Sequence, residues 1–166
     1  MKYFVISDTH FGHENIIKYC NRPFPSIEEM DKALIKNWNE TISNSDTVIH
    51  LGDVGFGSKE YIKDIISQLN GKKILIKGNH DNYSDDFYRE AGFTYVSKFP
   101  IIWGGTPENN GFYMMSHAPL LLSETTPYFN FYGHVHNDPK YSDNPTSKCV
   151  SVERIGYRPY MFMQKN

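Results

Sequence analysis

The stretch Thr47-Val48-Ile49-His50-Leu51-Gly52-Asp53 decides the fold, because it is an apolar run of strand length that stops on a glycine and an acid. It reads as a buried strand over Thr47–Leu51, and a helix and a further strand flank it on each side. Upstream, Ser26 is a fair N-cap with Glu29 at the capping-box spacing. Ile27, Met30, Leu34 and Trp38 then recur on one helical stripe. Before that helix, Tyr3–Ser7 is a short apolar run ending at Asp8, a first buried strand. Downstream, Ser58–Leu69 places Ile62, Ile65, Ile66 and Leu69 on one face, and Asn70-Gly71 suits a left-handed C-cap. Lys73–Ile76 is a third strand, ending at Gly78-Asn79-His80-Asp81, and a short helix from Asp85 to Ala91 stops at Gly92. Strand–helix–strand–helix–strand favours right-handed crossovers and a parallel central sheet.

The second half changes character. Tyr95–Trp103 and Phe112–Ser116 are apolar runs around Gly104-Gly105-Thr106-Pro107, a hairpin or loop. Phe129–Tyr132 leads to Gly133-His134, Asn137–Ser147 is polar and carries two prolines as an exposed loop would, and Cys149–Arg154 and Tyr160–Met163 read as closing strands. No repeat, linker or low-complexity tract interrupts the chain, so its 166 residues are expected to form one domain, 1–166.

Composition narrows the function. A formal charge of −2 and a pI near 6.4 give no support for strong binding to the nucleic-acid backbone, although a nucleotide held through metals stays open. Cys20 and Cys149 form no C-x-x-C pair and read as reduced thiols. The N-terminal apolar run is too short for a signal peptide, and no run is long enough for a membrane span. A cytoplasmic location without membrane contact is therefore expected, and the oligomeric state stays open.

Position is the informative feature of the polar residues. Asp8, Asp53, Asn79, His117 and His134 each fall just past an apolar strand-like run, and in open α/β sheets that rim is where ligands bind. Five of the seven histidines belong to these clusters, and His13 and His50 lie close to them. Asp8 and His10 stand two residues apart, as do His134 and His136, so each pair can reach one cation after a turn. Asp53, the lone acid of its cluster, can bridge two cations through its two oxygens. Imidazole with carboxylate, without thiolate, suits manganese, iron, zinc, nickel or cobalt rather than calcium, and argues against a structural zinc site. Singly each motif is weak: D-x-H arises by chance, Gly-Asn-His-Asp is commonly a turn, and a histidine at a strand end is more often a packed or surface group. The ordered set of five is what carries the reading.

Together these motifs resemble the calcineurin-like metallophosphoesterase superfamily over Asp8–His136. The run Asp8-Thr9-His10-Phe11-Gly12-His13 with Asn21-Arg22-Pro23-Phe24 is similar to its compact bacterial and phage members. The resemblance implies a four-layer α/β/β/α sandwich with a partly parallel central sheet and a dinuclear site at the strand C-terminal ends. It implies that Asp8, His10, Asp53 and His136 hold one metal and that Asp53, Asn79, His117 and His134 hold the other. Manganese is the first expectation for this pair of divalent transition-metal ions. It further implies that His80 faces the substrate and donates a proton to the leaving oxygen, and that Asp81 orients or polarises His80.

The expected reaction is hydrolysis of a phosphate ester, a diester first, by a metal-bridging hydroxide, with imidazole as the acid. A nuclease acting on DNA or RNA ends is the alternative, which the acidic balance disfavours. A non-catalytic scaffold with a relict metal site is a third, which the intact motif set disfavours. Two further residues are candidates for substrate contact: His13, which could equally be structural, and Arg22, which could clamp a phosphate or anchor a loop. His50 reads as a packed, hydrogen-bonded histidine behind the site. Phe11, Phe56 and Tyr83 could stack on a base, though single aromatics of this kind more often pack, and Lys72, Lys73 and Lys77 read as a solvated strand edge.

Overall fold

The computed structural model describes residues 1–104 and 112–164. The chain runs β1 (Lys2–Ile6), α1 (Glu14–Tyr19), α2 (Ile27–Thr41), β2 (Thr47–His50), α3 (Lys59–Ser67), β3 (Lys72–Ile76), α4 (Asp85–Ala91) and β4 (Phe93–Ser97). It continues through β5 (Ile101–Trp103), β6 (Phe112–Met115), β7 (Tyr128–Tyr132), β8 (Ser147–Cys149), a 3₁₀ turn (Val152–Arg154) and β9 (Tyr160–Gln164). Of the connection expected at Gly104–Pro107, residues 105–107 lie outside the described residues.

Two sheets result. One has the order β4-β3-β2-β1-β9, with its first four strands parallel and β9 antiparallel to β1. The other has the order β5-β6-β7-β8, antiparallel between β5 and β6 and parallel onward. Alternation along the central strands sorts the core into two layers. Phe4, Ile6 and Val48 face the helices, while Val5, Ile49, Leu51 and Ile76 meet Met115, Phe131 and Val150 of the second sheet. The buried apolar side chains of all four α-helices belong to the helix-side core. Among the described residues no α-helix covers the outer face of the second sheet, where Ile102 and Phe112 are exposed.

Local chemistry sets the helix limits. Ser26 Oγ accepts the Glu29 N–H, and Met30, Leu34 and Trp38 are buried at the spacing read from sequence. Each such side chain contributes roughly 1.5–3 kcal/mol on burial. Trp38 also donates its indole N–H to Asn70 O. The helix α3 ends earlier than expected. Gln68 and Leu69 bond back three residues, to Ile65 and Ile66, and Gly71 turns the chain into β3 at φ +84°, where a Cβ would lie 2.7 Å from Ile42 Cγ2. Gly92, at φ +125°, caps α4 where the sequence placed its end.

Three readings are corrected, and one helix without an earlier reading is added. The helix α1 carried no clear signal, having six residues, one buried apolar side chain and no side-chain cap. Tyr95–Trp103 is not one strand, because Ser97 Oγ bonds both N and O of Phe99 and Pro100 follows, so β4 and β5 enter different sheets. Cys149–Arg154 does not continue as a strand, since β8 ends at Cys149 and the 3₁₀ turn carries Val152 into the helix-side core. Lys73 is not solvated; it is buried and donates to the carbonyls of Leu69 and Gly71.

His50 ties β1 to β2 behind the rim. Its Nδ1 accepts the Gly52 N–H, so Nε2 carries the proton and donates to Thr9 Oγ1, whose hydroxyl donates to Val54 O. Burial, with His117 adding to it, pushes the His50 pKa down from 6.5 to about 3. The unfolded chain therefore takes up a proton below pH 6.5 that the folded chain refuses, and the stability this provides is lost as pH falls toward 3. Denaturant unfolding of chelated protein at pH 7.5 and 4.5 should show His50→Gln losing about 2–3 kcal/mol less than the parent over that interval. Equal losses would show that His50 is not held neutral.

Candidate metal centre

The loops after β1, β2, β3, β6 and β7 meet at one rim. Backbone bonds Asp8 N–Gly52 O, His10 N–Asp53 O and Phe11 N–Val54 O join the first two loops. The buried Asp81 carboxylate pins the third to them, accepting N–H bonds from Asp53, Val54 and Gly78. Two glycines permit the close approach. A Cβ on Gly78 would lie 2.2 Å from Asp53 Oδ1, and one on Gly133 would lie 2.4 Å from Asp8 Oδ2.

Backbone strain concentrates here. Seven described non-glycine residues have positive φ, and five of them are Asp8, His10, Asp53, His134 and His136. Each such residue costs on the order of 1 kcal/mol, so the strain is held in place by the packed strands below.

Two groups of donors face each other across Asp53. In the deep group, Asp8 Oδ2 accepts from Ser151 Oγ and from the His134 N–H, which aims Oδ1 inward toward His136 Nε2 at 3.9 Å. Asp53 Oδ2 is 3.5 Å from His10 Nε2. Asp8 Oδ1 and His10 Nε2 are buried with no hydrogen-bond partner among the described residues. Asp8 Oδ1 is an acceptor and His10 Nε2 becomes one when Nδ1 carries the ring proton, and leaving such a buried polar atom unpaired costs about 1–3 kcal/mol. In the outer group, His117 Nδ1 lies 2.7 Å from Leu51 O, a pure acceptor, so Nδ1 carries the proton and Nε2 is a bare lone pair. That lone pair is 2.9 Å from Asn79 Oδ1, 3.2 Å from His134 Nδ1 and 3.6 Å from Asp53 Oδ2. One oxygen, Asp53 Oδ2, faces both groups, because Oδ1 is committed to the His80 N–H.

Charge agrees with geometry. Burial, reinforced by the charges of His136 and Arg22, drives His10 far below its usual range, so it is neutral with a free lone pair. Burial raises the Asp53 pKa, and the like charges of Asp8 and Asp81 add to that. Burial opposes a proton on His136, yet Cys20, Glu153 and Asp8 outweigh it and lift the pKa to about 10. A proton on His136 thus stands beside Asp8 at the place a cation would take, and a bound cation would displace it. Oxygen and nitrogen donors without thiolate, some of them orphaned and buried, fit divalent transition metals.

The expected site residues converge with two differences. Asp8, His10, Asp53 and His136 lie together, as do Asp53, Asn79, His117 and His134, and a cavity of about 460 Å³ opens over them between His13, Tyr19, Phe56 and His80. His80 is exposed, its ring against Phe56 at 5.1 Å and His10 at 5.7 Å. His13 stacks on Phe56 at 4.1 Å. Asp81 does not reach for His80; its oxygens are engaged by three backbone N–H groups and the Tyr88 hydroxyl. Arg22 does not face the cavity as a phosphate clamp would. It is buried and donates to Asp8 O, Thr9 O and Glu153. Glu153 and Ser151, which touch His136 and Asp8, carried no signal in the sequence, because the stretch around them read as a strand. Cys20, His136 and Glu153 could also group around a cation, but the Arg22 charge 2.7 Å from the same carboxylate oxygen opposes one there.

Comparison with known proteins agrees with this geometry. The family model described as calcineurin-like phosphoesterase matches residues 1–159. An uncharacterised protein of Methanocaldococcus jannaschii is 39% identical over 171 residues, covering 95% of this chain and 85% of that protein. The Gene 66 protein of Mycobacterium phage L5 is 38% identical over 78 residues, covering 45% of this chain and 37% of that protein. A crystal structure of a protein of unknown function from Aquifex aeolicus superposes with a TM-score of 0.75 at 26% identity, covering 96% of this chain and 95% of that one. The chain belongs to the calcineurin-like phosphoesterase family, a membership that implies metal-dependent phosphoester hydrolysis, generally with two divalent ions.

Proposed function

We propose that this protein hydrolyses small phosphodiesters at a two-metal centre, with manganese as the working metal. The observation that carries the reading is the pair of buried polar atoms without partners among the described residues, Asp8 Oδ1 and His10 Nε2, beside an Asp53 oxygen that also faces His117. Asp8, His10, Asp53 and His136 would hold one cation, and Asp53, Asn79, His117 and His134 the other. When bound, such a pair supplies a water activated at neutral pH and positive charge against the phosphoryl oxygens.

The remaining work falls to side chains around the cavity. His80 is fixed at its backbone by Asp53 Oδ1 and at its ring by Phe56, and it donates a proton to the departing alkoxide oxygen. His13, whose ring centroid lies 4.1 Å from that of Phe56, contacts the substrate. The diester preference has a charge argument. Among the described residues no Lys or Arg lines the cavity. A monoester dianion would find no lysine or arginine there among the described residues, whereas a diester carries one charge fewer. The same lining supports a small ester over a nucleic-acid strand, whose successive phosphates call for Lys and Arg along a groove.

Turnover of bis(p-nitrophenyl) phosphate by manganese-loaded protein should exceed that of p-nitrophenyl phosphate, and a faster monoester reaction would reverse the preference. His80→Ala should lower kcat by about 10²–10⁴ while retaining the parent's manganese content; unchanged turnover would remove His80 from the chemistry. Asp53→Asn should lose bound manganese and activity together, measured by elemental analysis beside the assay. Full activity in that variant would place the reaction elsewhere.

A further inference from the structure

Glu153 lies far along the chain from the motif residues, yet its carboxylate is buried beside His136, with 4% of its side chain exposed. Glu153 Oε1 lies 3.1 Å from His136 Nδ1, and a carboxylate oxygen only accepts, so Nδ1 carries the proton. His136 therefore presents Nε2 toward Asp8 Oδ1, the direction of the deep donor group. Arg22 fixes the carboxylate in turn, through Nε at 2.9 Å and Nη2 at 2.7 Å, both on the same Oε1. The same guanidinium donates to Asp8 O at 2.7 Å and Thr9 O at 2.8 Å, the carbonyls of the turn that carries Asp8 and His10.

The arrangement differs from one built for stability alone. An arginine–carboxylate pair does best with two parallel bonds, one to each oxygen. Here both arginine donors and the imidazole share Oε1, while Oε2 is buried and has no partner among the described residues. Its geometry serves the imidazole at the expense of its own hydrogen bonding.

We propose that Glu153, anchored by Arg22, is a positioning residue for His136. It fixes the protonated nitrogen and ring orientation of that histidine, and so sets the affinity of the cation held by Asp8, His10, Asp53 and His136. Among the described residues Asn79, His117 and His134 of the outer group make no hydrogen bond to Glu153 or Arg22, so that group keeps its affinity. The inference rests on the two-metal reading above. A carboxylate behind a metal-binding histidine raises the basicity of the ligand and fixes its tautomer, and removing one typically costs 10–100-fold in metal affinity.

The test uses full-length protein stripped with chelator, as parent, Glu153→Gln and Glu153→Asp, titrated with Mn²⁺ and followed by calorimetry and electron paramagnetic resonance. The parent should take up two Mn²⁺ per chain and give the spectrum of a spin-coupled pair at two equivalents. Glu153→Gln should keep one site at parental affinity and weaken the other about 10–100-fold. It should therefore give an uncoupled Mn²⁺ spectrum at two equivalents and the coupled one only at high Mn²⁺. At saturating Mn²⁺ its KM should equal the parent's, because Glu153 does not face the substrate. Glu153→Asp keeps the charge against Arg22 but draws the oxygen away from Nδ1. It should fold, as judged by thermal melting of the chelated protein, and show the same one-site loss, so it decides the matter if Glu153→Gln fails to fold. Variants that bind two Mn²⁺ as tightly as the parent, or that weaken both sites equally, overturn the role of Glu153. A parent that takes up no Mn²⁺ overturns the two-metal reading itself, and this role with it.

Discussion

A single buried carboxylate oxygen, Asp53 Oδ2, stands between two sets of lone pairs, and the surrounding structure is arranged to keep it there. Nothing about that position is comfortable for a protein by itself. The oxygen is out of water, and like charges at Asp8 and Asp81 press on it. Such an arrangement survives only where the backbone cannot relax away from it. Parallel strands below and three N–H bonds from the Asp81 clamp remove that freedom.

The division of labour between the two sheets follows from this. Strands β1 to β3 are buried on both faces, by helices on one side and by the second sheet on the other, which makes them a stiff platform. The second sheet brings His117 and His134 to the platform from the opposite side, on loops of its own. The deep donor group is therefore built on the first sheet, with His136 added from the second, while the outer group spans the gap between them. Burial tracks that difference: Asp8, His10 and Asp53 are enclosed, whereas Asn79 and His134 are exposed.

Much of this was legible in the sequence because strand ends and metal-ligand chemistry coincide. Ile6-Ser7-Asp8, Leu51-Gly52-Asp53 and Tyr132-Gly133-His134 each announce both a strand stop and a donor, so register and site could be read together. Capping gave the start of α2 for the same reason, since Ser26 accepts a bond from the Glu29 N–H three residues on. What was missed depends on contacts across long separations. Arg22 has the right chemistry for phosphate, and only its three-dimensional surroundings show that Asp8, Thr9 and Glu153 have taken its donors. Asp81 sits beside His80 in sequence, which suggested a pair, but its hydrogen bonds go to backbone N–H groups of other loops. Glu153 touches nothing near it in sequence that would mark it as more than a surface acid.

The antiparallel pairing of β9 with β1 has a consequence for the order in which the molecule comes together. The strand that leads into Asp8 keeps a bare hydrogen-bonding edge until residues 160–164 leave the ribosome, and Ser151 and Glu153, which touch Asp8 and His136, emerge only shortly before them. Synthesis from the N-terminus therefore produces the turn that carries Asp8 and His10 first and its closing partners last. Over that interval Asp8 and His136 lack the side chains that aim them, and β9 closes the sheet edge beside them last.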